Sequence, residues 1–161
     1  MATGMTALGG KSASAARNYD VSLAGWSLHR SIGEGEGKIP MLDMPKLARE
    51  EWDIGGIELV NRMLIGHDKP MAEMKPYLDE LAKNAADHDV KILLIMIDGE
   101  GSIADLDEAK REDAVTRHQK WVDISKYLGG HSIRMNWAGQ NDGWQDDPSV
   151  VDAMIERSTP F

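Results

Sequence analysis

The sequence predicts an α/β protein, a partial (β/α)8 barrel of about four parallel βα units. Three observations lead there. A short β-branched or aliphatic segment recurs four times at intervals of about 35 to 40 residues, each copy followed by helix punctuation. Strand, loop and helix in that repeated order require parallel strands joined by right-handed crossovers. A complete barrel takes about 250 residues, and about 140 here deliver four units, so the arithmetic predicts half a barrel. A doubly wound sheet is the alternative that the same pattern allows.

The elements follow in chain order. "YDVSLAGW" (19–26) alternates as a strand does. "GWSLHRSIGEGEGK" then raises the question of a phosphate cradle. Such a motif needs strand, tight turn and helix at once, so that main-chain amides and the helix dipole meet the anion. Lys38, Ile39 and Pro40 delay the helix, and Glu34 and Glu36 would repel a phosphate, so the cradle is rejected. A mobile flap on the active face and a disordered spacer remain as readings.

"LDMPKLAREEWD" (42–53) is the first helix, with Asp43 as cap and Pro45 in the first turn. "GGIELVN" (55–61) is the second strand. "KPYLDELAKNAADHD" (75–89) is the second helix, starting around Pro76 with Leu78, Leu81, Ala82 and Ala85 on one face. "VKILLIMID" (90–98) is apolar at almost every position, as a strand covered on both faces should be. The third helix, 108–130, aligns Ala114, His118, Trp121, Ser125 and Leu128 and stops at Gly129-Gly130. "HSIRMNW" (131–137) is the fourth strand. "DDPSVVDAMIERS" (146–158) starts at Asp147-Pro148 and carries Val150, Val151, Met154 and Ile155 as its apolar face.

Residues 1–18 stay outside this domain, which spans 19–161. They are rich in Gly, Ala, Ser and Thr, and "SASA" is spaced like a signal-peptidase site. The segment resembles the tail of a twin-arginine export signal, which implies a periplasmic or exported protein. An ordinary disordered N-terminus of a cytoplasmic protein is the alternative.

Composition excludes several function classes. The 161 residues carry a net charge of −9 and no basic run, a poor match to nucleic acid, whose binding rests on phosphate neutralisation. With no cysteine, disulfides, thiolate metal sites and a Cys nucleophile are absent. No apolar run approaches the length of a membrane-spanning helix.

Alternation assigns faces to the strands. Ile57 and Leu59 suit the helical layer and turn Glu58 toward the barrel axis. Ile133 and Met135 point outward, leaving Ser132, Arg134 and Asn136 on the axis. Burying a lone charge costs several kcal/mol or more, so Glu58 and Arg134 are expected to pair inside the barrel, or to orient a polyol at its mouth. Barrel chemistry sits at the C-terminal strand ends. Those ends carry Ser27 and His29, Asn61 and Arg62, Asp98 and Glu100, then Asn136 and Trp137. From these we take His29, Glu58, Asp98, Arg134, Asn136 and Trp137 as substrate-binding candidates. His29 also reads as a hydrogen-bonding strut, and "DGEG" (98–101) as a plain turn. The residues show no His/Asp/Glu set at metal-ligand spacing, so no metal site is assigned to them.

"VSLAGWSLHRSI", "GGIELVN", "ILLIMIDGEGSIAD" and "GGHSIRMNWAG", in this order and spacing, resemble the N-terminal half of the xylose isomerase-like barrel superfamily. Within it the sequence is similar to sugar phosphate isomerases/epimerases. The resemblance implies a divalent-metal enzyme that moves a proton or hydride between adjacent carbons of a sugar or sugar phosphate. It also implies metal ligands and acid/base carboxylates on later strands, so no catalytic residue is carried over and the chain is expected to be inactive alone. Endonuclease-type members of the superfamily hold metal-ligating histidines in earlier loops, where this chain has Asp98. The alternative to an enzyme fragment is a half-barrel that binds a sugar or self-associates without chemistry. In that case the open sheet edges, and the partly bare apolar positions such as Val60 and Leu94 or Ile95, would be covered by a second copy in a homodimer.

Overall fold

The computed structural model describes residues 20–137 and 144–159. The expected leader (1–18) lies outside them. Four strands, β1 (Leu23–Ala24), β2 (Gly56–Val60), β3 (Lys91–Met96) and β4 (Ser132–Arg134), form one sheet in the order β1-β2-β3-β4. Every pairing is parallel. Sequential neighbours with a helix in each crossover make a barrel segment and exclude the doubly wound alternative, in which the strand order reverses. The helices are α1 (Met44–Trp52), α2 (Met71–Asp87), α3 (Glu108–Tyr127) and α4 (Pro148–Ser158).

The core lies between sheet and helices. Ile57, Leu59 and Ile95 from the strands pack with Met44, Leu78, Leu81, Trp121 and Ile124, all fully buried. Each such side chain contributes about 1.5–3 kcal/mol relative to exposure. The expected face of α3 is buried at all five positions, Ala114, His118, Trp121, Ser125 and Leu128. The His118 ring nitrogen Nδ1 lies 2.7 Å from the Ala114 carbonyl, which satisfies it within its own helix.

One irregularity sets the strand register. Ile57 aligns with Ile92 but Glu58 with Leu94, so Leu93 is an extra residue in β3. This bulge puts Leu93 against Gly56, where an added Cβ would come within 2.9 Å of the Leu93 Cδ1. A side chain at position 56 would displace the bulge.

Several element boundaries differ from the sequence reading. α2 begins at Met71, so Pro76 sits within the helix rather than at its start. Asp43 makes no side-chain cap; a 3-10 turn, Met41–Asp43, leads into α1 instead. Asp107 and Asp147 do cap, accepting from the Ala109 and Ser149 amides. Gly129 ends α3 with φ of +82°, the left-handed residue expected there. Ile155, placed on the apolar face of α4, is 52% exposed, whereas Met154 is buried. Of the positions expected to lie partly bare, Leu94 is half-buried, whereas Val60 and Ile95 are buried; the close approach of Gly25 shows what helps cover Val60.

Candidate functional site

The C-terminal ends of β2 and β3 are tied by one buried amide. Asn61, directly after β2 and fully buried, accepts from the Asp98 N–H and donates to the Asp98 carbonyl, both at 3.0 Å. Its Oδ1 also accepts from the Arg62 N–H at 2.8 Å. A side-chain amide offers the same donor and acceptor as a peptide, so Asn61 continues the ladder one step past the Val60–Met96 pair. On the other side of β3, the Ile97 N–H donates to the Arg134 carbonyl at 2.7 Å. Asp98 is therefore set at the strand mouth by the Asn61 side chain on its own main chain and by the Ile97 bond to β4 one residue earlier.

Its carboxylate faces β4. Asp98 Oδ1 accepts from Asn136 Nδ2 at 2.8 Å and more distantly from Arg134 Nη1 at 3.5 Å, and Arg134 also donates to Asn136 Oδ1. The Asp98 Oδ2 is buried without a hydrogen-bond partner among the described residues. Charge and amide thus form a chain, Arg134 to Asn136 to Asp98, with one carboxylate oxygen unsatisfied.

Glu100 adjoins this cluster. Its Oε1 accepts from Trp121 Nε1 at 2.9 Å and from Asn61 Nδ2 at 3.3 Å. Both donors are fully buried, so the carboxylate is oriented by groups that cannot turn elsewhere. A cavity of about 480 Å³ opens beside it, lined by Arg62, Asp98, Glu100, Arg117 and Lys120 among others. A larger hollow of about 720 Å³ lies at the N-terminal strand ends. There Arg49 donates to the His88 carbonyl at 3.1 Å and to that of Asp89, tying α1 to the turn before β3. That is the face where barrels place stability rather than chemistry.

Of the six candidates, the structure brings together Asp98, Arg134 and Asn136. Glu58 and Arg134 do not pair, contrary to expectation. Glu58 aligns with Leu94 and Ser132, whereas Arg134 aligns with Met96, so the two stand two strands apart in different layers. Glu58 accepts from the Ser22 hydroxyl at 2.5 Å instead, and Arg134 turns to Asp98. His29 stands after β1 beside Trp26, with ring centroids 5.4 Å apart and its Nδ1 2.7 Å from the Trp26 carbonyl. Trp137 donates its indole N–H to the Ser158 hydroxyl at 3.3 Å, toward α4. The sequence marks Asn61 and Glu100 only as strand-end residues, and Trp121 only as core. Their joint role has no local sequence signal, because it depends on three elements meeting.

The glycine loop is tied across its base in this structure. Gly33 N–H donates to the Ile39 carbonyl at 3.0 Å and Ile39 N–H to that of Ser31 at 2.9 Å. Lys38 Nζ donates to the Arg30 carbonyl at 2.7 Å, closing the loop on itself.

The divalent metal implied by the family resemblance can be tested against the donor set. No three His, Asp or Glu side chains converge among the described residues. The two axial carboxylates sit in different layers, and Asp98 is already engaged by Asn136. These residues do not fit a metal centre, and no step is derived through one.

Fold and rim together define a (β/α)8-barrel segment with a cluster of polar and charged side chains at its C-terminal face. Two solved structures share this fold. The probable 3-DHS dehydratase AsbF of Bacillus anthracis, involved in petrobactin synthesis, matches with a TM-score of 0.59 at 21% identity, covering 86% of this chain and 45% of that one. The 3-keto-D-glucoside 4-epimerase YcjR of E. coli matches with a TM-score of 0.57 at 14% identity, covering 81% of this chain and 48% of that one. The likeness is one of fold, a barrel of parallel βα units, and the chain spans about half the length of these two proteins. No family model matches the sequence, and no curated protein does.

Proposed function

We propose that these four βα units are the substrate-holding half of a barrel enzyme of the sugar isomerase/epimerase type, one that shifts a proton or hydride between adjacent carbons of a polyhydroxylated substrate. The observation that carries this reading is the Arg134–Asn136–Asp98 chain at the strand mouth with its unsatisfied Asp98 oxygen. A carboxylate, an amide and a guanidinium side by side combine the acceptor and donor types that hydroxyl groups bind. The two structures of similar fold are named as a probable 3-DHS dehydratase and a 3-keto-D-glucoside 4-epimerase, and the second name supports the reading. The described residues bind and orient; no acid, base or metal ligand is assigned to them.

The test is a titration of the ¹⁵N-labelled full chain with D-fructose and D-xylose. Saturable shifts centred on Asp98 and Asn136, lost in Asp98→Asn with the fold retained, support the reading. Shifts absent or scattered over the surface overturn it.

The open edges favour a second reading, self-association without chemistry. Among the described residues β1 and β4 each pair on one side only. A copy rotated by two-fold symmetry about the barrel axis keeps all strands parallel and pairs each β4 with the other β1. Light scattering decides: a dimer supports this arrangement, and a sharp monomer with a cooperative thermal transition rejects it.

A further inference from the structure

The cavity beside Glu100 has its own chemistry. Its three strong cations, Arg62, Arg117 and Lys120, face three carboxylates, Asp68, Asp98 and Glu100, so formal charge cancels. Ion pairs and hydrogen bonds within the protein engage most of them, although the carbonyls that hold Lys120 leave its charge in place. Arg117 is held by Asp113, Lys120 donates to the His67 and Lys69 carbonyls at 2.7 and 3.2 Å, and Asp98 belongs to the β4 cluster. Left over among the described residues are the Arg62 guanidinium, the Asp68 carboxylate and Glu100 Oε2. Arg62 lies across Gly99, where an added Cβ would stand 3.5 Å from its Nη1. Gly99 has φ of +80°, so both its conformation and its bareness seat the guanidinium there. The walls are preformed: Lys120 pins the loop after β2 to α3, and buried Trp121 and Asn61 fix Glu100.

We infer that this cavity is a subsite for a hydroxylated anion, with the anionic group on Arg62 and hydroxyls donating to Glu100 and Asp68. The inference rests on the C-terminal face being the ligand face, as proposed above. Guanidinium binds phosphate or carboxylate through paired charge-assisted hydrogen bonds. The two carboxylates accept only from donors, and so disfavour an anion that brings no hydroxyl. The volume, about 480 Å³, is within the range of small-molecule sites. The occupant is a sugar phosphate or a sugar acid, not a neutral sugar or a bare anion.

Calorimetric titration of the full chain with D-glucose 6-phosphate, D-gluconate, D-glucose and inorganic phosphate tests this. One or both hydroxylated anions should bind at least about tenfold more tightly than glucose and inorganic phosphate, and which of the two does so identifies the anionic group. Arg62→Met, at an exposed position, should remove that preference without changing the melting temperature. Glu100→Gln keeps an oxygen for Trp121 and Asn61 but replaces the outer acceptor with a donor, and it should weaken binding about tenfold with the fold intact. Equal affinity for glucose and its phosphate, insensitive to Arg62→Met but sensitive to Asp98→Asn, overturns the anion subsite and leaves the proposed function standing. Binding of inorganic phosphate as tight as that of the sugar phosphate overturns the role of Glu100 and Asp68. Absence of binding by all four overturns the subsite, and the fructose and xylose titration then judges the proposed function separately.

Discussion

The Asn61 side chain grips the Asp98 main chain at two points, donating to its carbonyl and accepting from its N–H, each at 3.0 Å. This one amide sets the end of β3 and, through Glu100, the wall of the adjoining cavity. Replacing it with alanine strands two main-chain groups of Asp98, so Asn61→Ala should lower stability by roughly 2 to 4 kcal/mol. Asn61→Asp should recover little, since a carboxylate cannot donate to the Asp98 carbonyl. Urea unfolding measures both; a loss under about 0.5 kcal/mol for Asn61→Ala would show that water replaces the clamp.

Glu58 and Arg134 answer to different partners, which a double-mutant cycle makes visible. Glu58→Gln and Arg134→Met should destabilise additively within about 0.5 kcal/mol. Asp98→Asn combined with Arg134→Met should be non-additive by more than that, because those residues share one cluster. Strong coupling between Glu58 and Arg134 would contradict the observed register.

Tyr77 introduces a pH dependence at the alkaline end. Burial pushes its hydroxyl up to about 12 from the ordinary 10.0, with the Ile65 main chain opposing. Since the folded value is the higher one, this contribution to stability is complete below pH 10.0 and is lost as pH rises toward 12. Tyr77→Phe should flatten that loss. Near neutrality it should change stability by less than about 1 kcal/mol, because the hydroxyl has no hydrogen bond of ordinary geometry to lose. Thermal melts from pH 8 to 12 check both parts; identical alkaline profiles for the two proteins would reject the assignment.

Metal titration probes the rim from another side. With no three ligand side chains converging among the described residues, the chain should take up Mn²⁺, Co²⁺ or Zn²⁺ only nonspecifically. A stoichiometric micromolar site by calorimetry would contradict this, and mutation of Glu58, Asp98 and His29 would then locate it.

The sequence by itself determined the repeated βα order, the parallel sheet and the buried stripe of α3. These depend on period and punctuation, properties local to a dozen residues, and Trp121 or Leu81 could be placed in the core from spacing alone. It also put Asp98, Arg134 and Asn136 on one rim, because alternation and the C-terminal strand ends are local too. Only the tertiary structure decided which of those groups touch. The bulge at Leu93 and the parallel register place Glu58 one layer below Arg134, so the charge pairing that composition made attractive does not form. Asn61 looks like any strand-end amide until β3 comes alongside, and Glu100 gains its fixed orientation only when α3 brings Trp121 against it. Register offsets and side-chain clamps are set by contacts between residues tens of positions apart, and no periodicity within a segment encodes them.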